Sequence, residues 1–326
     1  MISTLYAAAA RRRREWYASR PAARRRLRRP VISIGNIAAG GRGKTPCAAH
    51  VARLLLAMGE RPAVLSRGYG RTQREDGAVV VRDAGGIRAD LARAGDEPLM
   101  LARQLPGAVV VTSEDRYLGG VVAERHLGAT VHLLDDGFQH FALDRDADVV
   151  LAAAADLTGR TFPGGRLREP PDVLIAADAI VALDPFDPPY DHAAFFRARR
   201  ATAPARFEHQ AAPAAGVPVL ACAGIADPAP FFAAVADHGF AVRATRTFRD
   251  HHAYSARDVD RLVTAARDAG AEAIVTTEKD WVRLLPFRPF PLAVGYLPLT
   301  MEIEPRDEFR RWLAAAIAAA RDTILD

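Results

Sequence analysis

Short apolar segments recur along the chain and alternate with amphipathic ones. In the first half, the apolar segments predict β-strands at 31–34, 62–66, 108–112, 130–135, 147–153 and 178–183. Helical spacing between them predicts helices at 48–58, 97–104 and 116–127. The strands are continuously apolar and do not alternate, which is typical of strands that are buried on both faces. We therefore predict an α/β fold with a mostly parallel sheet and helices on both faces.

This pattern is interrupted at residues 184–215, where five prolines occur in a stretch of mixed polarity. A second α/β pattern follows, with strands predicted at 217–223, 241–247, 272–277 and 292–298 and helices at 228–238, 255–269 and 305–321. The 326 residues suffice for two such domains. We predict an arm at 1–29, a first domain at 30–200, a connector at 201–215 with a strand near 203–209, and a second, smaller α/β domain at 216–326. A cleft between the two domains is the expected place for a functional site.

A glycine-rich segment links the first predicted strand to the first predicted helix. It consists of Gly40, Gly41, Arg42, Gly43, Lys44, Thr45 and Pro46. Glycines here let backbone N–H groups turn toward a phosphate, the lysine reaches the outer phosphate oxygens, and the threonine is a ligand for Mg²⁺. Ala38 departs from the strict GxxxxGK[ST] pattern, and a glycine-rich turn without a ligand is the alternative. The strand–loop–helix order favours a P-loop NTPase-like domain that binds a nucleoside triphosphate.

Two acidic residues, Asp135 and Asp136, end the predicted strand at 130–135. Carboxylates at the carboxyl end of a strand beside a phosphate loop are placed to hold Mg²⁺ directly or through water. Two adjacent acids would repel each other without a cation, which supports the same interpretation. Gln139 and His140 follow at the same edge, and for His140 a structural role is as compatible as a catalytic one.

Lysine is rare in this chain, because Lys44 and Lys279 stand against forty-two arginines. A compact ammonium fits a phosphate loop where a planar guanidinium does not, which supports Lys44 as a phosphate ligand. For Lys279, in Thr277-Glu278-Lys279-Asp280, chance is an equal explanation. The two cysteines lie far apart without a CxxC partner, which indicates a reducing compartment and neither a disulfide framework nor a zinc site.

The positive charge is concentrated in the arm. Residues 1–29 hold ten arginines and one acid, a balance of +9, which leaves −4 for the rest of a chain whose net charge is +5. The apolar run at 2–10 is too short to span a bilayer, and arginines follow it instead of preceding it, unlike a signal peptide. A helix that places Leu5, Tyr6, Trp16 and Tyr17 among arginines is suited to an anionic membrane surface. A solvated basic helix and a nucleic-acid-binding arm are the alternatives.

Three further segments carry candidate chemistry. Asp96 and Glu97 open a helix, where capping is the alternative to a catalytic role. His251 and His252 open the main helix of the second domain, and an imidazole there could form an acid–base pair with a carboxylate of the first domain. Arginine-rich loops at 66–71 and 164–169 are either sites for anionic substrate groups or solvated loops. Their candidate residues are Arg67, Tyr69, Arg168 and Glu169.

Taken in order, these segments resemble the tetraacyldisaccharide 4′-kinase family, which phosphorylates the lipid A precursor of Gram-negative bacteria. The matching segments are 35–36, 40–46, 66–71, 95–98, 134–140, 167–169, 250–252 and 277–280. No single segment is decisive, but the ordered set is specific. The family loop resembles GGxGKT more than the strict form, so Ala38 is no departure from it.

The resemblance implies ATP- and Mg²⁺-dependent transfer of the γ-phosphoryl group to the 4′-hydroxyl of a tetraacyldisaccharide 1-phosphate, giving lipid IVA and ADP. It also implies two α/β domains and peripheral attachment to the cytoplasmic face of the inner membrane, with no nucleic acid or protein partner. The family's catalytic aspartate falls on Asp96 and its histidine partner on His251. Its phosphate and Mg²⁺ ligands fall on Lys44, Thr45, Asp135 and Asp136, and Glu97, Gln139 and Arg168 are implied as site residues of less definite role.

Two other classes of protein compete with a lipid kinase. A P-loop ATPase that switches conformation would hydrolyse ATP without a phosphorylated product, but it has no need of the Asp96 and His251 pair. A nucleic-acid-binding module is disfavoured because the net charge beyond residue 29 is negative and aromatic and basic residues do not alternate there.

Overall fold

The computed structural model describes residues 2–208, 214 and 216–325. The chain forms two compact units, Met1–Arg199 with Met301–Asp326, and Arg200–Thr300. The strands are β1 Val31–Asn36, β2 Pro62–Ser66, β3 Ala78–Asp83, β4 Gly86–Ile87, β5 Val109–Ser113, β6 Val131–Asp135, β7 Ala147–Ala152, β8 Ala179–Ala182, β9 Ala194–Thr202, β10 Pro218–Ala223, β11 Ala241–Thr247, β12 Ala273–Thr277, β13 Ala293–Leu297 and β14 Leu299–Glu304. The α-helices are α1 Ile2–Ala18, α2 Lys44–Ala57, α3 Leu91–Ala94, α4 Asp96–Gln104, α5 Arg116–His126, α6 Ala154–Leu157, α7 Ala229–Asp237, α8 Ala256–Asp268, α9 Glu278–Leu284 and α10 Arg306–Leu325.

The larger unit is built on a ten-stranded sheet in the order β14-β9-β8-β7-β1-β6-β2-β5-β3-β4. The six strands from β8 to β5 in this order pair in parallel, whereas β3 pairs antiparallel with β5 and β4. All six are buried along their whole length, as their continuous apolar sequences predict. The predicted α/β fold class is confirmed.

The topology of this sheet fixes where a ligand can bind. After β1, the chain crosses to β2 on the β6 side, whereas after β6 it crosses to β7 on the other side of β1. Connections that leave neighbouring strands in opposite directions open a crevice at the carboxyl ends of those strands. The glycine-rich loop after β1 and the acidic residues after β6 therefore lie at the same edge.

The smaller unit has a four-stranded parallel sheet in the order β11-β10-β12-β13. Its main helix, α8, begins after Ser255, whose side chain and that of Asp258 form a capping box. One core cluster contains Leu220 and Ile274 from the sheet, Leu262 from α8 and Trp281 from α9.

Two predicted boundaries were wrong. The predicted strand near 203–209 lies earlier, as β9 at Ala194–Thr202; residues 203–208 contribute only an isolated bridge at Arg206, and residue 209 is outside the described residues. The final helix, predicted within the second domain at 216–326, belongs to the larger unit. Its Phe309 packs against Phe196 of β9 and His50 of α2. The chain returns to the first sheet through β14, which pairs with β9, and sequence order alone does not reveal such a return.

The N-terminal arm is helical, as predicted, and it belongs to the larger unit. Five of its ten arginines form ion pairs with acidic residues of that unit. Leu27 is 3% exposed and joins a core cluster, so the end of the arm is part of the folded domain. In the described part of the chain, no helix has the length and apolar character needed to cross a membrane.

Candidate active site

The phosphate loop joins β1 to α2 through a left-handed turn. Gly43, with φ 83°, precedes the first helical residue, Lys44, and only glycine takes this conformation without steric cost. The side chain of Lys44 is 12% exposed. Its Nζ donates to Oδ1 of Asn36 at 3.3 Å and lies 3.6 Å from Oδ1 of Asp136. The ammonium group is therefore held between the loop and the end of β6.

Asp135 ends β6 and is almost fully buried. Thr45 Oγ1 donates to its Oδ2 at 3.5 Å, whereas its Oδ1 has no hydrogen-bond partner among the described residues. Burial raises the pKa of Asp135, and the nearby carboxylates of Glu97 and Asp136 raise it further, against the opposing effect of Lys44 and Arg116. A buried carboxylate with a free oxygen is suited to a cation that is not part of the chain.

Asp136 takes a different role from its neighbour. Its φ of 56° is unusual for a residue other than glycine. Arg168 donates from one nitrogen to both carboxylate oxygens, at 2.9 and 2.8 Å. Asp136 therefore connects Lys44 of the phosphate loop with the loop at 164–169.

Gln139 and Glu169 connect the end of β1 with the arm through hydrogen bonds. The amide of Gln139 donates to the carbonyl oxygen of Asn36 at 2.9 Å and to Glu169 Oε2 at 3.0 Å. Arg14 of the arm binds both oxygens of Glu169, at 3.0 and 2.8 Å. Since Glu169 is 3% exposed, this pair ties α1 to the site in a largely dehydrated setting.

Asp96 is the first residue of α4 and is 4% exposed. Its Oδ1 accepts from the backbone N–H of Glu97 at 2.9 Å. The preceding Gly95 has φ 85°, and a Cβ at this position would lie 2.6 Å from the carbonyl oxygen of Tyr69. This close approach places the loop at 67–71 against Asp96. The side chains of Arg67 and Tyr69 in that loop are exposed.

Arg42 of the phosphate loop pairs with the buried Asp156. Arg116 lies at the same edge of the sheet, and the sequence did not single it out. It begins α5 soon after β5 and is 5% exposed, and its Nε has no partner in the described part of the chain. Burial and the charge of Arg67 lower its pKa to about 10, whereas Asp135 and Asp136 raise it. The only signal in the sequence was its place after a buried strand at the same edge of the sheet.

His140 lies in the segment that follows β6 and is partly buried. Burial lowers its pKa to about 4, and the charges of Arg116 and Arg145 lower it further. Within residues 2–208, 214 and 216–325, its Nε2 has no hydrogen-bond partner. The imidazole is therefore neutral at physiological pH and does not add a positive charge to the site.

In the smaller unit, His251 lies in a cluster with two basic residues. Its φ is 57°, its Nε2 lies 2.9 Å from Lys279 Nζ, and its Nδ1 accepts from Arg283 at 3.1 Å. Asp280 is fully buried and binds Arg283 at 3.0 Å. Lysine and arginine only donate, so each ring nitrogen of His251 faces a donor. The four residues form one connected polar network.

The neighbouring His252 belongs to a separate environment. Its ring stacks on Phe248 with a centroid distance of 4.7 Å, and its Nε2 lies 3.2 Å from Asp258. The two adjacent histidines thus have different partners. The pairing of Asp96 with His251 stays a prediction.

The residues at the carboxyl ends of β1 and β6 fit a magnesium ion bound together with a nucleotide. No group of three or more His, Cys, Asp or Glu residues suited to a metal occurs in the described ranges 2–208, 214 and 216–325. Mg²⁺ in phosphoryl-transfer enzymes uses one or two carboxylates and takes its other ligands from phosphates and water. Asp135 with its free Oδ1, next to Thr45, meets that requirement.

The fold and the site define a P-loop kinase of the α/β class. A family model described as "Tetraacyldisaccharide-1-P 4'-kinase" (LpxK) matches residues 1–318. The tetraacyldisaccharide 4'-kinases of Geobacter metallireducens and Anaeromyxobacter sp. Fw109-5 are 41% and 42% identical to this chain. These alignments cover 88% and 96% of this chain and 88% and 90% of the two relatives.

A solved structure agrees with the sequence relatives. The "apo" form of LpxK from Aquifex aeolicus, crystallised in complex with ATP, matches with a TM-score of 0.80 and 29% identity, over 97% of each chain. The chain belongs to the tetraacyldisaccharide 4′-kinase family. It is an ATP-dependent kinase of lipid A biosynthesis.

Proposed function

We propose that the site at the carboxyl ends of β1 and β6 transfers the γ-phosphoryl group of ATP to the 4′-hydroxyl of tetraacyldisaccharide 1-phosphate. The observation that carries the proposal is the position of Lys44 at the start of α2, next to the Thr45 and Asp135 pair. Lys44 and the loop N–H groups neutralise and align the phosphates. Alignment and charge neutralisation provide most of the catalysis in this class of reaction.

Thr45 and Asp135 would hold Mg²⁺, which in such sites neutralises charge that develops on the β- and γ-phosphates. Asp135 is the better candidate of the two aspartates, because its Oδ1 has no partner whereas both oxygens of Asp136 accept from Arg168. In this proposal, Asp136 instead positions Lys44 and Arg168 around the transferred group.

We predict that Asp135 makes the nucleotide-free protein less stable as pH rises. A pKa raised on folding favours the protonated, folded form, so this stability is complete at low pH and is lost as pH rises through the raised pKa. Asp135→Asn removes this dependence, whereas the exposed control Asp187→Asn retains it. Thermal unfolding between about pH 5 and about pH 8 measures the effect.

The pH dependence of wild type must be compared with that of Asp135→Asn, because His140 has the opposite effect on stability. Its pKa is lowered on folding, so its contribution to stability is lost as pH falls toward about 4. Addition of Mg²⁺ and ATP at high pH should raise the thermal unfolding temperature of the wild-type protein and should raise that of the variant much less. Identical pH curves for wild type and Asp135→Asn would contradict the assignment.

Asp96 and His251 are proposed as the acid–base pair. The buried carboxylate of Asp96 accepts the proton of the 4′-hydroxyl as the oxygen attacks phosphorus, and His251 orients and stabilises Asp96. The buried pair of Arg283 and Asp280 supports His251 by holding its ring through the contact at Nδ1. A sugar hydroxyl is a weak nucleophile, so a positioned base assists it.

Arg116 is proposed as a further ligand of the phosphoryl group. Burial lowers the pKa of Arg116, and the positive charge of Arg67 lowers it further. An anion bound near both would relieve this repulsion. The partnerless Nε gives the arginine a donor for such an anion.

The acceptor lipid is proposed to reach the site along the arm. A cavity of about 250 Å³ is lined by Tyr6, Ala9, Ala10 and Arg13 of α1 and by Phe141, Arg168 and Glu169. It thus joins the arm to the loop that binds Asp136. An amphipathic substrate can place its sugar at Arg168 while its acyl chains follow α1.

The outward face of α1 is proposed to lie on the cytoplasmic surface of the inner membrane. One stripe of the helix is partly buried against the domain, at positions 3, 7, 10, 14 and 17. Apolar side chains are exposed elsewhere on α1, with Ile2 69%, Leu5 67% and Trp16 43% exposed. Five of the arginines are paired with acids, so fewer than the +9 balance suggests are available to anionic lipids. The exposed apolar side chains therefore contribute a larger share of the expected membrane affinity.

Replacing Leu5 and Trp16 with serine should lower binding to anionic vesicles by at least about tenfold for each residue, because each loses the burial of a large apolar side chain. Cosedimentation with vesicles measures the effect. Ile87→Ser is the matched control, since Ile87 is 41% exposed on the edge strand β4. Equal vesicle binding by the double variant and the control would exclude α1 as the membrane contact.

The alternative function, a switch ATPase, differs from the kinase in what it requires for turnover. The release of ADP from ATP should depend on tetraacyldisaccharide 1-phosphate and be unaffected by DNA. ADP release at the same rate without any lipid acceptor would favour the switch ATPase.

A further inference from the structure

A second cavity, of about 460 Å³, lies between the end of the arm and α5. Residues 26–29 line one side, and Tyr117, Val121, Glu124 and Arg125 of α5 line the other. We call it the arm–α5 cavity. Its volume is within the usual range for small-molecule sites.

The arm–α5 cavity is remote from the site of phosphoryl transfer. Residues 26–29 precede β1, and Arg125 lies in the last turn of α5, just before β6. The cavity is therefore at the amino ends of the strands whose carboxyl ends carry Lys44 and Asp135. The six residues of β1 separate the two edges by about 20 Å.

The walls of this cavity are fixed by core packing. Leu27 is 3% exposed and packs on Gly120 of α5, where an added Cβ would lie 2.2 Å from Leu27 Cδ1. Arg25 binds both oxygens of Asp115, at 2.7 and 2.6 Å, before the first turn of α5. These contacts hold the backbone of residues 26–29 against the helix, so the cavity is preformed.

Its charge is strongly positive. Arg26 is committed to Asp144 at 2.7 Å and to Asp146 at 2.8 Å, and Glu124 points to the buried His132 at 3.1 Å. Over the described residues, Arg28, Arg29 and Arg125 form no ion pair. Glu60 is the acid whose pKa is lowered in part by the charge of Arg29, and it is bound by Arg321 at 2.7 Å. Three guanidinium groups thus line the cavity without an ion pair among the described residues, and the acid in its lining, Glu124, is directed to His132.

We propose that the arm–α5 cavity binds the phosphate group of an anionic amphiphile, with Arg28, Arg29 and Arg125 as its ligands. Guanidinium groups bind phosphate oxygens through paired, charge-assisted hydrogen bonds. Leu27 and Val121 offer an apolar wall for the part of the ligand next to the phosphate. The chemistry is shared by a phospholipid head group and free phosphate, and the apolar wall favours the head group.

The test measures binding of short-chain phosphatidylglycerol, below its micelle concentration, and of inorganic phosphate by calorimetry. The full chain is used with Mg²⁺ and ADP at saturation, so that the phosphate loop is occupied. Arg28→Ser/Arg125→Ser should weaken binding of the lipid by about 25-fold, at roughly fivefold for each arginine. Arg12→Ser/Arg20→Ser removes the same charge from the arm outside the cavity and should change binding less than about threefold.

A third variant separates a site from general electrostatic attraction. Val121→Phe fills the cavity without altering charge, and it should weaken binding of phosphatidylglycerol as much as the loss of two arginines. Equal competition by inorganic phosphate would identify free phosphate as the ligand of the same site. Equal losses in the two double-arginine variants, or unchanged binding in a folded Val121→Phe protein, would overturn the proposal.

Discussion

Replacing Lys44 with alanine should lower kcat for phosphorylation of the lipid disaccharide by about 10²–10³-fold or more. Replacing it with arginine should not restore the activity. The ammonium group lies 3.3 Å from Asn36 and 3.6 Å from Asp136 and is 12% exposed, so a wider, planar guanidinium does not fit between the loop and β6. Steady-state kinetics with saturating ATP measure the loss.

The matched control for Lys44 is Arg53→Ala on the same helix, because Arg53 is exposed and contacts Gln104 away from the loop. It should retain wild-type kcat and the same thermal unfolding temperature. Near-normal activity in Lys44→Arg would contradict the view that this position requires a compact ammonium.

Single replacements of Asp96 and His251 with alanine should each reduce kcat substantially, with a loss of about 10²–10⁴-fold at Asp96, the size of a general-base contribution. The double variant should lose much less than the product of the two single losses, because residues that act as one unit are not additive. A double-mutant cycle on kcat measures this coupling.

His252→Ala is the control in this cycle, since His252 stacks on Phe248 and binds Asp258 instead of the network of Lys279 and Arg283. It should change kcat little. Strictly multiplicative losses at Asp96 and His251 would show that the two residues act independently. A large loss at His252 together with normal activity at His251 would transfer the assignment to His252.

The strands that build the site could be predicted because they are buried on both faces and therefore continuously apolar. β1, β2 and β6 were located to within two residues at each end. The elements that the sequence did not reveal are short or half exposed, such as β4 with two residues and β14 with alternating burial. Such segments lack an apolar run, and their pairing across the sheet provides what their own sequence does not.

The site divides in the same way. The proximity of Lys44, Thr45 and Asp135 was predictable because a loop motif and a strand end constrain them locally. Arg116 was not, because a single arginine at the start of a helix has no motif and its burial depends on the fold. Nor could the sequence show that Arg14 binds Glu169, a contact between residues 155 positions apart.

The arm shows how charge counted from sequence can mislead. Its ten arginines predicted a strongly basic segment that is free to bind an anionic surface. In the structure, acidic residues of the domain neutralise half of them, and Leu27 anchors the segment in the core. The pairing could not be anticipated because the acids are far from the arm in sequence and meet it only in the fold.

The most direct test of the proposed function is the identity of the phosphorylated product. The full chain is incubated with γ-labelled ATP, Mg²⁺ and tetraacyldisaccharide 1-phosphate. The lipid fraction is then separated, and the positions of its phosphates are determined. The proposed function predicts one labelled phosphate at the 4′-position, formed in equal amount to ADP and absent with Lys44→Ala. Formation of ADP with all of the label in inorganic phosphate would contradict it.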